Sequence, residues 1–382
     1  MRSTIERSGL GDSTYFPVAF LKDHIDPNLK EARAEVEAAI FGSVDEVLAK
    51  AKVKSRDIGI VVVNCCIFCP APSLSSMIVN RYKMKESVIS YNLSGMGCTA
   101  GLVAVNLAKH LLQVHHDTYA LVVSTESITE NCYMGNDRSK FLINCLFRVG
   151  GAAVLLSNRP ADHRTAKYQL LHAIPTHTAH SDKCYSCIVS EEDTDRLAGV
   201  TITKDLLAAA ITAIESNITS LAPLVLPVSE QARYVLSAFT RRLCWAKNVK
   251  PEYVPDFKKS CDHFLPHVGG KPVLDELQRS LRMTKSDMEA SRMTLYRFGN
   301  TSSSSVWYEL AYVEAKGRIR RGDRVWHMAF GSGFKCCSVV WRAIRTVDDA
   351  VMNPWSGEID GFPVDLDEDA PFTYFFEPSK TT

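Results

Sequence analysis

The fold is decided by residues 86–112, ESVISYNLSGMGCTAGLVAVNLAKHLL, which predict a strand, a tight turn and a helix. The stretch begins with a β-prone run and continues into a turn built from small residues. Val103, Leu107 and Leu111 then recur every four positions, as on the apolar side of a helix. This pattern places Cys98 at the start of that helix.

The position of Cys98 favours a nucleophile. The unpaired N–H groups and the dipole at a helix N-terminus stabilise an anion. We therefore expect the thiol pKa to lie below its free value of ~8.5. The alternative is a buried structural cysteine, because a free cysteine packs well as a small hydrophobe. The small residues of the turn allow close backbone approach, which favours a functional role.

Apolar strands alternate with helices through the first half of the chain. The strands are predicted at 57–68, 86–93, 118–127 and 147–158, and the helices at 27–52, at 73–83 and after the turn. This alternation predicts an α/β fold with a parallel sheet that helices cover on both faces. The same order of strand, turn and helix recurs at 261–281, 299–315 and 323–343, which indicates a structural duplication.

We therefore expect two halves. Residues 1–199 form an N-terminal half that carries Cys98, and residues 200–382 form a C-terminal half. The segment from about residue 348 is acidic and contains prolines. Such a segment is expected to be solvated and poorly ordered.

The composition is that of a soluble globular protein with a substantial core. The chain has 382 residues, of which 46% are hydrophobic and 23% charged. A net charge of +1 argues against a nucleic-acid-binding protein, which would carry a basic excess. The twelve cysteines are scattered, unlike a small secreted disulfide framework. With no signal peptide at Met1, we expect reduced thiols that face the cytosol.

The most apolar long stretch, residues 206–228, does not predict a membrane span. Glu215, Asn217 and two prolines interrupt it, so it falls short of ~20 uninterrupted apolar residues. We expect a buried helix followed by a loop. A role at a membrane interface or along a substrate tunnel remains the alternative.

Two histidines in CDHFLPHVGGKPVLDELQ are candidate partners of the cysteine. If this segment is extended, His263 and His267 point to the same side but lie about 13 Å apart, so they cannot share one task. Pro272 suits the first turn of the following helix, which puts His267 at a strand end beside a helix N-terminus. We expect a functional role for His267 and a hydrogen-bonded structural role for His263.

Asn300 stands just before a run of serines and a helix in GNTSSSSVWYELAY. One interpretation makes it a turn residue and Ser302–Ser305 a helix cap. The other makes its amide a donor that binds a developing oxyanion together with His267. A set of cysteine, histidine and asparagine can perform acyl transfer.

No metal site is predicted. His177, His180, Cys184 and Cys187 resemble a zinc cluster, but structural zinc sites usually separate their ligand pairs by about 12 residues. KCYSCIV also predicts a strand, in which Cys184 and Cys187 would face opposite sides.

The assembled motifs closely resemble the plant 3-ketoacyl-CoA synthases, the condensing enzymes of very-long-chain fatty acid elongation in the thiolase-like superfamily. The resemblance runs from about Ser8 to about Trp341. It is carried by RSGLGDSTYFP, DIGIVVVNCCIFCPAPSLSSMIVNRYK, YNLSGMGCTAGL, GNDRSKFLINCLFRVGGAAVLLSN, LAPLVLPVSEQ, HFLPHVGGKPVLDELQ, RFGNTSSSSVWYELAY and AFGSGFKCCSVVW. So many long motifs in order are far more specific than any single pattern.

The resemblance implies a thiolase-like fold of two duplicated βαβαβ halves in an αβαβα arrangement, usually paired as a homodimer. It implies a triad of Cys98, His267 and Asn300 that acts by decarboxylative Claisen condensation. A long-chain acyl-CoA would acylate Cys98, and the enolate formed from malonyl-CoA would then attack the thioester. Coenzyme A thioesters are thus expected as substrates, and no bound cofactor is expected.

The resemblance also implies accessory residues. His177 and His263 match the family's accessory histidines, whereas Tyr296 stands where the family generally has a histidine. We therefore expect weak activity and a gain on Tyr296→His. Pro266 replaces a usual aliphatic residue and could shift the strand end, because proline lacks the N–H that a strand donates.

Two further groups are expected to contact substrate. Phe147 and Arg148 are expected to flank the acyl or coenzyme A passage, with core packing and a structural ion pair as the alternatives. Gly331, Ser332 and Gly333, in AFGSGFKCC, are expected at the substrate-binding surface.

By resemblance, we expect the cytosolic face of the endoplasmic reticulum membrane and heterodimers with related synthases or contacts with other elongase enzymes. Family members usually carry two N-terminal transmembrane helices before RSGLGD, and this chain starts six residues before that segment. The expectation is a form without the usual anchor that is soluble or peripheral, with a truncated gene model as the alternative. The alternative functions are a type III polyketide synthase-like condensing enzyme and a non-catalytic dimer partner of active synthases.

Overall fold

The computed structural model describes residues 8–22, 25, 27–243, 253–347 and 352–366. Its ten α-helices in these ranges are α1 Leu29–Ala51, α2 Leu74–Arg81, α3 Ala100–Val114, α4 Phe141–Leu146, α5 Asp182–Tyr185, α6 Leu206–Val225, α7 Val228–Leu243, α8 Lys271–Ser280, α9 Lys285–Phe298 and α10 Ser305–Ala315. Its ten strands are β1 Ile58–Asn64, β2 Ile89–Leu93, β3 Tyr119–Thr125, β4 Gly151–Ser157, β5 Tyr168–His177, β6 Ile188–Glu192, β7 Ala198–Ile202, β8 His263–Pro266, β9 Arg324–Gly331 and β10 Lys335–Ala343.

Side chains fix the start of two long helices. Asn28 caps α1, because its side chain accepts hydrogen bonds from the N–H groups of Lys30 and Glu31. Thr284 and Asp287 form a capping box at the start of α9. Both ends therefore satisfy N–H groups that lack partners within the helix.

The strands form two four-stranded sheets and a hairpin. The N-sheet has the order β2-β1-β3-β4, and the C-sheet has the order β5-β10-β9-β8. In the N-sheet β1 pairs in parallel with β2 and β3, whereas β4 is antiparallel to β3. The predicted all-parallel sheet is therefore wrong at its last strand. β6 and β7 form the separate hairpin.

Helices and sheets stack in five layers. α3 and α10 form the middle layer, where Leu102 and Val306 join one core cluster with Val122 of the N-sheet and Val339 of the C-sheet. The outer face of the N-sheet is covered by α1 and α2. The outer face of the C-sheet is covered by α6 and α8. This is the αβαβα arrangement that the family resemblance implies.

The division at residues 199 and 200 stays a prediction. β5 lies before that boundary in sequence, but it pairs with β10 along nearly its whole length. The C-sheet therefore contains strands from both sides of this boundary, so the two sheets do not divide at one point of the chain.

Helix α6 is long and apolar enough to cross a membrane by length and composition. One side of it packs on the C-sheet through residues that include Ala213 and Leu221. The buried Asn217 donates to the Ile174 carbonyl at 2.7 Å and accepts from Ser338 Oγ. The predicted buried helix is therefore buried on one side.

The chain beyond residue 348 is not a uniformly solvated tail. Residues 348–351 and 367–382 lie outside the described part, but 352–366 pack on the core. Trp355 is fully buried, and its ring contacts Phe298 and Tyr312. The expectation of a solvated segment is wrong here, because the acidic residues are interleaved with apolar side chains that bury surface.

Candidate active site

Cys98 lies in a 3-10 turn, Gly97–Thr99, that leads directly into α3. The end of β9 and the loop that follows it approach this turn at the level of the backbone. A Cβ atom on Gly97 would lie 2.5 Å from the Ser332 nitrogen, and one on Gly331 would lie 2.5 Å from the Cys98 nitrogen. Both positions require glycine for this approach. The sequence prediction of strand, turn and helix is confirmed.

Cys98, His267 and Asn300 line one cavity of about 70 Å³. Most of the other lining side chains are apolar, among them Leu142, Leu146, Phe147, Ile188, Ile202, Leu206, Ala210, Phe330 and Phe334. The structure therefore brings together the three residues that the sequence singles out. Their chemical roles remain predictions.

His267 is held by the end of β8 and is buried. Its backbone N–H donates to the Met328 carbonyl at 2.8 Å, and its imidazole ring packs edge-on against Phe330. Burial lowers the pKa of His267 to about 3, so the imidazole is neutral near pH 7. Its Nδ1 atom has no hydrogen-bond partner among the described residues.

Pro266 does not disturb this arrangement. β8 is an edge strand of the C-sheet, where a residue without an N–H group is tolerated. Pro266 pairs with Met328 in register, and the next residue supplies the N–H donor.

Asn300 is fixed through backbone and side chain. Its N–H donates to the Leu146 carbonyl at 3.1 Å, and its carbonyl accepts from Arg148 at 2.9 Å. Its Oδ1 atom accepts a hydrogen bond from the Ser302 N–H at 2.8 Å. This bond assigns the amide orientation and leaves Nδ2 as the donor group.

The Cys98 thiol does not have the lowered pKa expected from a helix N-terminus. Burial raises the pKa of Cys98 to about 12, a hydrogen bond from Ser302 acts to lower it, and the charge of Glu126 acts to raise it. The expectation is wrong because loss of solvation at this position outweighs the helix start.

Glu126 and Ser302 form a polar cluster behind the thiol that the sequence analysis missed. Ser302 Oγ lies 3.6 Å from Cys98 Sγ and 3.3 Å from Glu126 Oε2. Glu126 also accepts from the N–H groups of Cys66 and Ile67, at 3.0 and 3.2 Å. Burial raises the pKa of Glu126. The sequence did contain one signal for Glu126. This residue directly follows the apolar strand β3, and functional residues of α/β sheets often lie after strand ends.

The one hydroxyl proton of Ser302 can serve only one acceptor at a time. While Cys98 is a thiol, Ser302 can donate to Glu126 and accept from the S–H group. When a thiolate forms, the same hydroxyl can turn and donate to sulfur. Ser302 has a φ of 56°, so the loop holds it in the left-handed region rather than as a helix cap.

The accessory histidines are not among the residues that line the cavity. His177 is exposed at the end of β5, where its Nδ1 accepts from the Ala179 N–H at 3.2 Å. His263 begins β8 and contacts Asp323 Oδ2 at 3.1 Å. Neither residue lines the cavity.

Tyr296 lies on α9 and also does not line the cavity. Its carbonyl accepts from the Gly11 N–H at 2.8 Å, and its ring packs against Gly11 and Phe362. Its position suits a role in holding the N-terminal segment against the helix that precedes Asn300.

Phe147 and Arg148 have different surroundings in the structure, although they are neighbours in sequence. Phe147 lines the cavity. Arg148 is buried behind it, where it donates to Thr14 Oγ1 and the Cys145 carbonyl and stacks over Phe16. Burial lowers the pKa of Arg148 to about 10. These contacts fit a structural role for Arg148, made through hydrogen bonds rather than the expected ion pair.

Gly331, the last residue of β9, lines the cavity, whereas Ser332 and Gly333 in the following loop do not. Ser332 contacts the Cys98 turn through its backbone, and Gly333 has a φ of 121° that favours glycine.

The cysteines of the zinc-like cluster are buried, and Cys187 Sγ donates to the Cys184 carbonyl at 3.2 Å. Cys184 lies in α5, so the predicted strand there is wrong. The tight turn that Ser181, Tyr185 and Ser186 close with backbone hydrogen bonds explains the difference.

The arrangement can support covalent acyl transfer. A thiol is a soft nucleophile and a good leaving group, and a thioester is its natural intermediate. A neutral imidazole and an amide are donors that can stabilise an enolate oxygen without a formal charge.

Comparisons with known proteins identify the family and the fold. Residues 1–243 match the family described as FAE1/Type III polyketide synthase-like protein, and residues 258–343 match the 3-Oxoacyl-[acyl-carrier-protein (ACP)] synthase III C terminal family. Among solved structures, the type III polyketide synthase domain of Steely1 from Dictyostelium is similar with a TM-score of 0.65 and 18% identity, over 85% of this chain and 81% of that chain. This likeness shows the thiolase-like fold.

Two curated relatives are much more similar. The chain is 56% identical to 3-ketoacyl-CoA synthase 11 of Arabidopsis thaliana, over 96% of this chain and 72% of the relative. It is 57% identical to probable 3-ketoacyl-CoA synthase 20 of Oryza sativa subsp. japonica, over 96% of this chain and 71% of the relative. The chain therefore belongs to the 3-ketoacyl-CoA synthase family.

Proposed function

We propose that this chain is an acyltransferase that condenses malonyl-CoA with a long-chain acyl-CoA to give a 3-ketoacyl-CoA. The observation that carries the proposal is the convergence of Cys98, His267 and Asn300 on one largely apolar cavity. The identity of 50–57% to curated 3-ketoacyl-CoA synthases supports the same activity.

The first half-reaction transfers the acyl group to Cys98. The sulfur attacks the thioester carbonyl, the new carbon–sulfur bond forms, and the bond to coenzyme A breaks. The proton lost by the Cys98 thiol leaves with coenzyme A, which departs as a thiol. Because burial raises the pKa of this thiol, Ser302 contributes by donating to the thiolate as it forms.

The second half-reaction uses malonyl-CoA. When carbon dioxide leaves, the electron pair of the broken carbon–carbon bond stays on the methylene carbon and forms an enolate. His267 and Asn300 donate hydrogen bonds to the enolate oxygen, and the carbon attacks the acyl group on Cys98. The carbon–sulfur bond breaks, the 3-ketoacyl-CoA departs, and the thiolate regains a proton.

The experiment is an elongation assay with radiolabelled malonyl-CoA and a series of acyl-CoA lengths. The proposal predicts labelled 3-ketoacyl-CoA whose yield depends on chain length. Labelled aromatic or multiply extended products from one starter would instead favour a type III polyketide synthase-like activity. No product with any starter, from folded protein, would favour a non-catalytic dimer partner.

We also propose that the protein acts as a dimer at the cytosolic face of the endoplasmic reticulum membrane. One support for membrane contact is helix α7, on which Val235, Leu236 and Phe239 are 64%, 61% and 59% exposed. Such apolar exposure is typical of an interaction surface. Replacing Leu236 and Phe239 by serine should reduce sedimentation with phospholipid vesicles, and unchanged sedimentation would contradict the membrane role of α7.

A further inference from the structure

The β6–β7 hairpin forms one wall of the cavity that Cys98 lines. The hairpin contributes Ile188 and Ile202 to this lining. Helix α4 contributes Leu142 and Leu146. The cavity of about 70 Å³ is much smaller than the roughly 300–1,000 Å³ of pockets that hold drug-sized ligands. It must therefore widen to hold a long-chain acyl group.

The hairpin is the least supported wall of this cavity. In the described part of the chain β6 and β7 pair only with each other, and an isolated two-stranded hairpin is marginally stable in water. Val200 and Ile202 of the hairpin form, with Ile143 of α4, the smallest of the buried hydrophobic clusters among the described residues. By contrast, α6 and α8 pack into the large core that covers the C-sheet. The hairpin is therefore the wall that can move with the smallest loss of buried apolar contact.

Lys140 holds the opposite face of the hairpin. Ile188 and Ile202 form a cross-strand pair on the cavity face, so the alternation of side chains places Glu191 and Thr201 on the other face. Lys140, the residue directly before α4, donates to Thr201 Oγ1 at 2.7 Å and to Glu191 Oε1 at 3.2 Å. Its side chain is only 3% exposed. A cation attached to α4 thus binds the outer face of the hairpin that packs on α4.

Tyr133 adds a second contact to the same face. Its hydroxyl donates to the carboxylate of Asp193, which directly follows β6, and accepts from the Asp137 N–H at 2.8 Å. Gly199 of β7 leaves room for both side chains, because a Cβ atom there would lie 2.7 Å from Lys140 Cδ and 2.8 Å from Tyr133 Cδ2. Lys140 and Tyr133 therefore lie directly on the hairpin backbone, and together they are called the hairpin clamp.

We propose that the hairpin clamp limits how far the β6–β7 hairpin can move from α4 and thereby limits the length of the acyl group that Cys98 accepts. This role rests on the condensing activity proposed above, which supplies the acyl group. Because the clamp binds the outer face, a movement that widens the cavity must stretch the contacts of Lys140 with Thr201 and Glu191. Lys140 does not line the cavity, so it is a positioning residue that acts through the hairpin. A looser clamp should admit longer acyl groups.

Lys140→Met removes the ammonium group and keeps an unbranched side chain. The variant and the unmodified protein are compared by kcat/KM across a series of saturated acyl-CoA lengths, with radiolabelled malonyl-CoA. One methylene in a hydrophobic pocket changes discrimination ~10–200-fold. We therefore expect the kcat/KM of the first rejected length, relative to the longest accepted one, to rise at least about tenfold. A clamp that only supports the fold would lower kcat/KM equally for all lengths, and unchanged ratios would overturn the proposal.

Glu191→Ala loosens the clamp from its exposed side and serves as the test variant if Lys140→Met does not fold. Glu192→Ala is its matched control. Glu192 is the next residue of β6, is also exposed, and its side chain has no hydrogen-bond or ion-pair partner among the described residues. Glu191→Ala should shift the length ratio in the same direction as Lys140→Met, and Glu192→Ala should leave it unchanged. Equal shifts in the two glutamate variants would contradict a role of the clamp.

Hydrogen–deuterium exchange without substrate separates the clamp from the proposed activity. In Lys140→Met the amides of residues 188–192 and 198–202 should exchange faster, whereas those of the N-sheet and the C-sheet should not change. Unchanged exchange in the hairpin would overturn the clamp even if the protein condenses malonyl-CoA. Folded, unmodified protein that gives no 3-ketoacyl-CoA with any starter would instead overturn the proposed activity, and with it the limit on acyl length.

Discussion

The contact between Ser302 and Cys98 should make the thiol more reactive, and Ser302→Ala tests this directly. The hydroxyl lies 3.6 Å from the sulfur and is positioned by the same loop that holds Asn300. A hydrogen bond to a charged group contributes roughly 1.5–3 kcal/mol, and one pKa unit corresponds to about 1.4 kcal/mol. Because 3.6 Å is long, we take the lower end and expect the pKa of Cys98 to rise by about one unit.

A rise of one unit reduces the thiolate population about tenfold at any pH well below the pKa. A more basic thiolate is also a better nucleophile, with a Brønsted coefficient of about 0.4–0.5, which offsets about half of that effect on a logarithmic scale. Alkylation of Cys98 by iodoacetamide should therefore slow about threefold at fixed pH. The rate is read from the mass of the peptide that contains Cys98, between about pH 7 and 9.5.

Ser303→Ala is the matched control for this experiment. Ser303 is the next residue in the loop, and its buried Oγ has no hydrogen-bond partner among the described residues. Removing it should leave the alkylation rate of Cys98 unchanged. If Ser302→Ala and Ser303→Ala react at the same rate as the unmodified protein, Ser302 does not stabilise the thiolate.

Three further substitutions separate the roles of the site. Asn300→Ala should still form the acyl-enzyme but lower the condensation rate ~10²–10³-fold, because one enolate donor is lost; condensation at the unmodified rate would remove Asn300 from the chemistry. Phe147→Ala enlarges the cavity and should shift product length in the elongation assay, whereas unfolding without such a shift would indicate core packing. Tyr296→His should leave condensation unchanged rather than raise it as the family resemblance implies, because Tyr296 packs on Gly11 and Phe362 outside the cavity; a large gain at matched folding would restore the first expectation and show that this position limits activity.

Local patterns made much of the fold predictable. The apolar runs and small residues around Cys98 specify a strand, a turn and a helix, and the structure contains all three. The same reasoning places His267 after a strand and Asn300 before a helix. Local patterns work here because each of these elements is set by periodicity and turn residues within one short segment.

Contacts between distant segments were not predictable in this way. Ser302 reaches Cys98 across 204 positions of the chain, and neither residue type signals that pair. The raised pKa of Cys98 depends on burial, which no local pattern measures. The antiparallel direction of β4 and the packing of Trp355 likewise depend on tertiary contacts rather than on the segments themselves.

The most direct test of the central claim is the location of the acyl-enzyme. The protein is incubated with a long-chain acyl-CoA, without malonyl-CoA, and its peptides are examined by mass spectrometry. The account predicts one thioester, on Cys98, that is absent in Cys98→Ala and that malonyl-CoA discharges as a 3-ketoacyl-CoA. A thioester on another cysteine such as Cys66, or acylation that persists in Cys98→Ala, would contradict it.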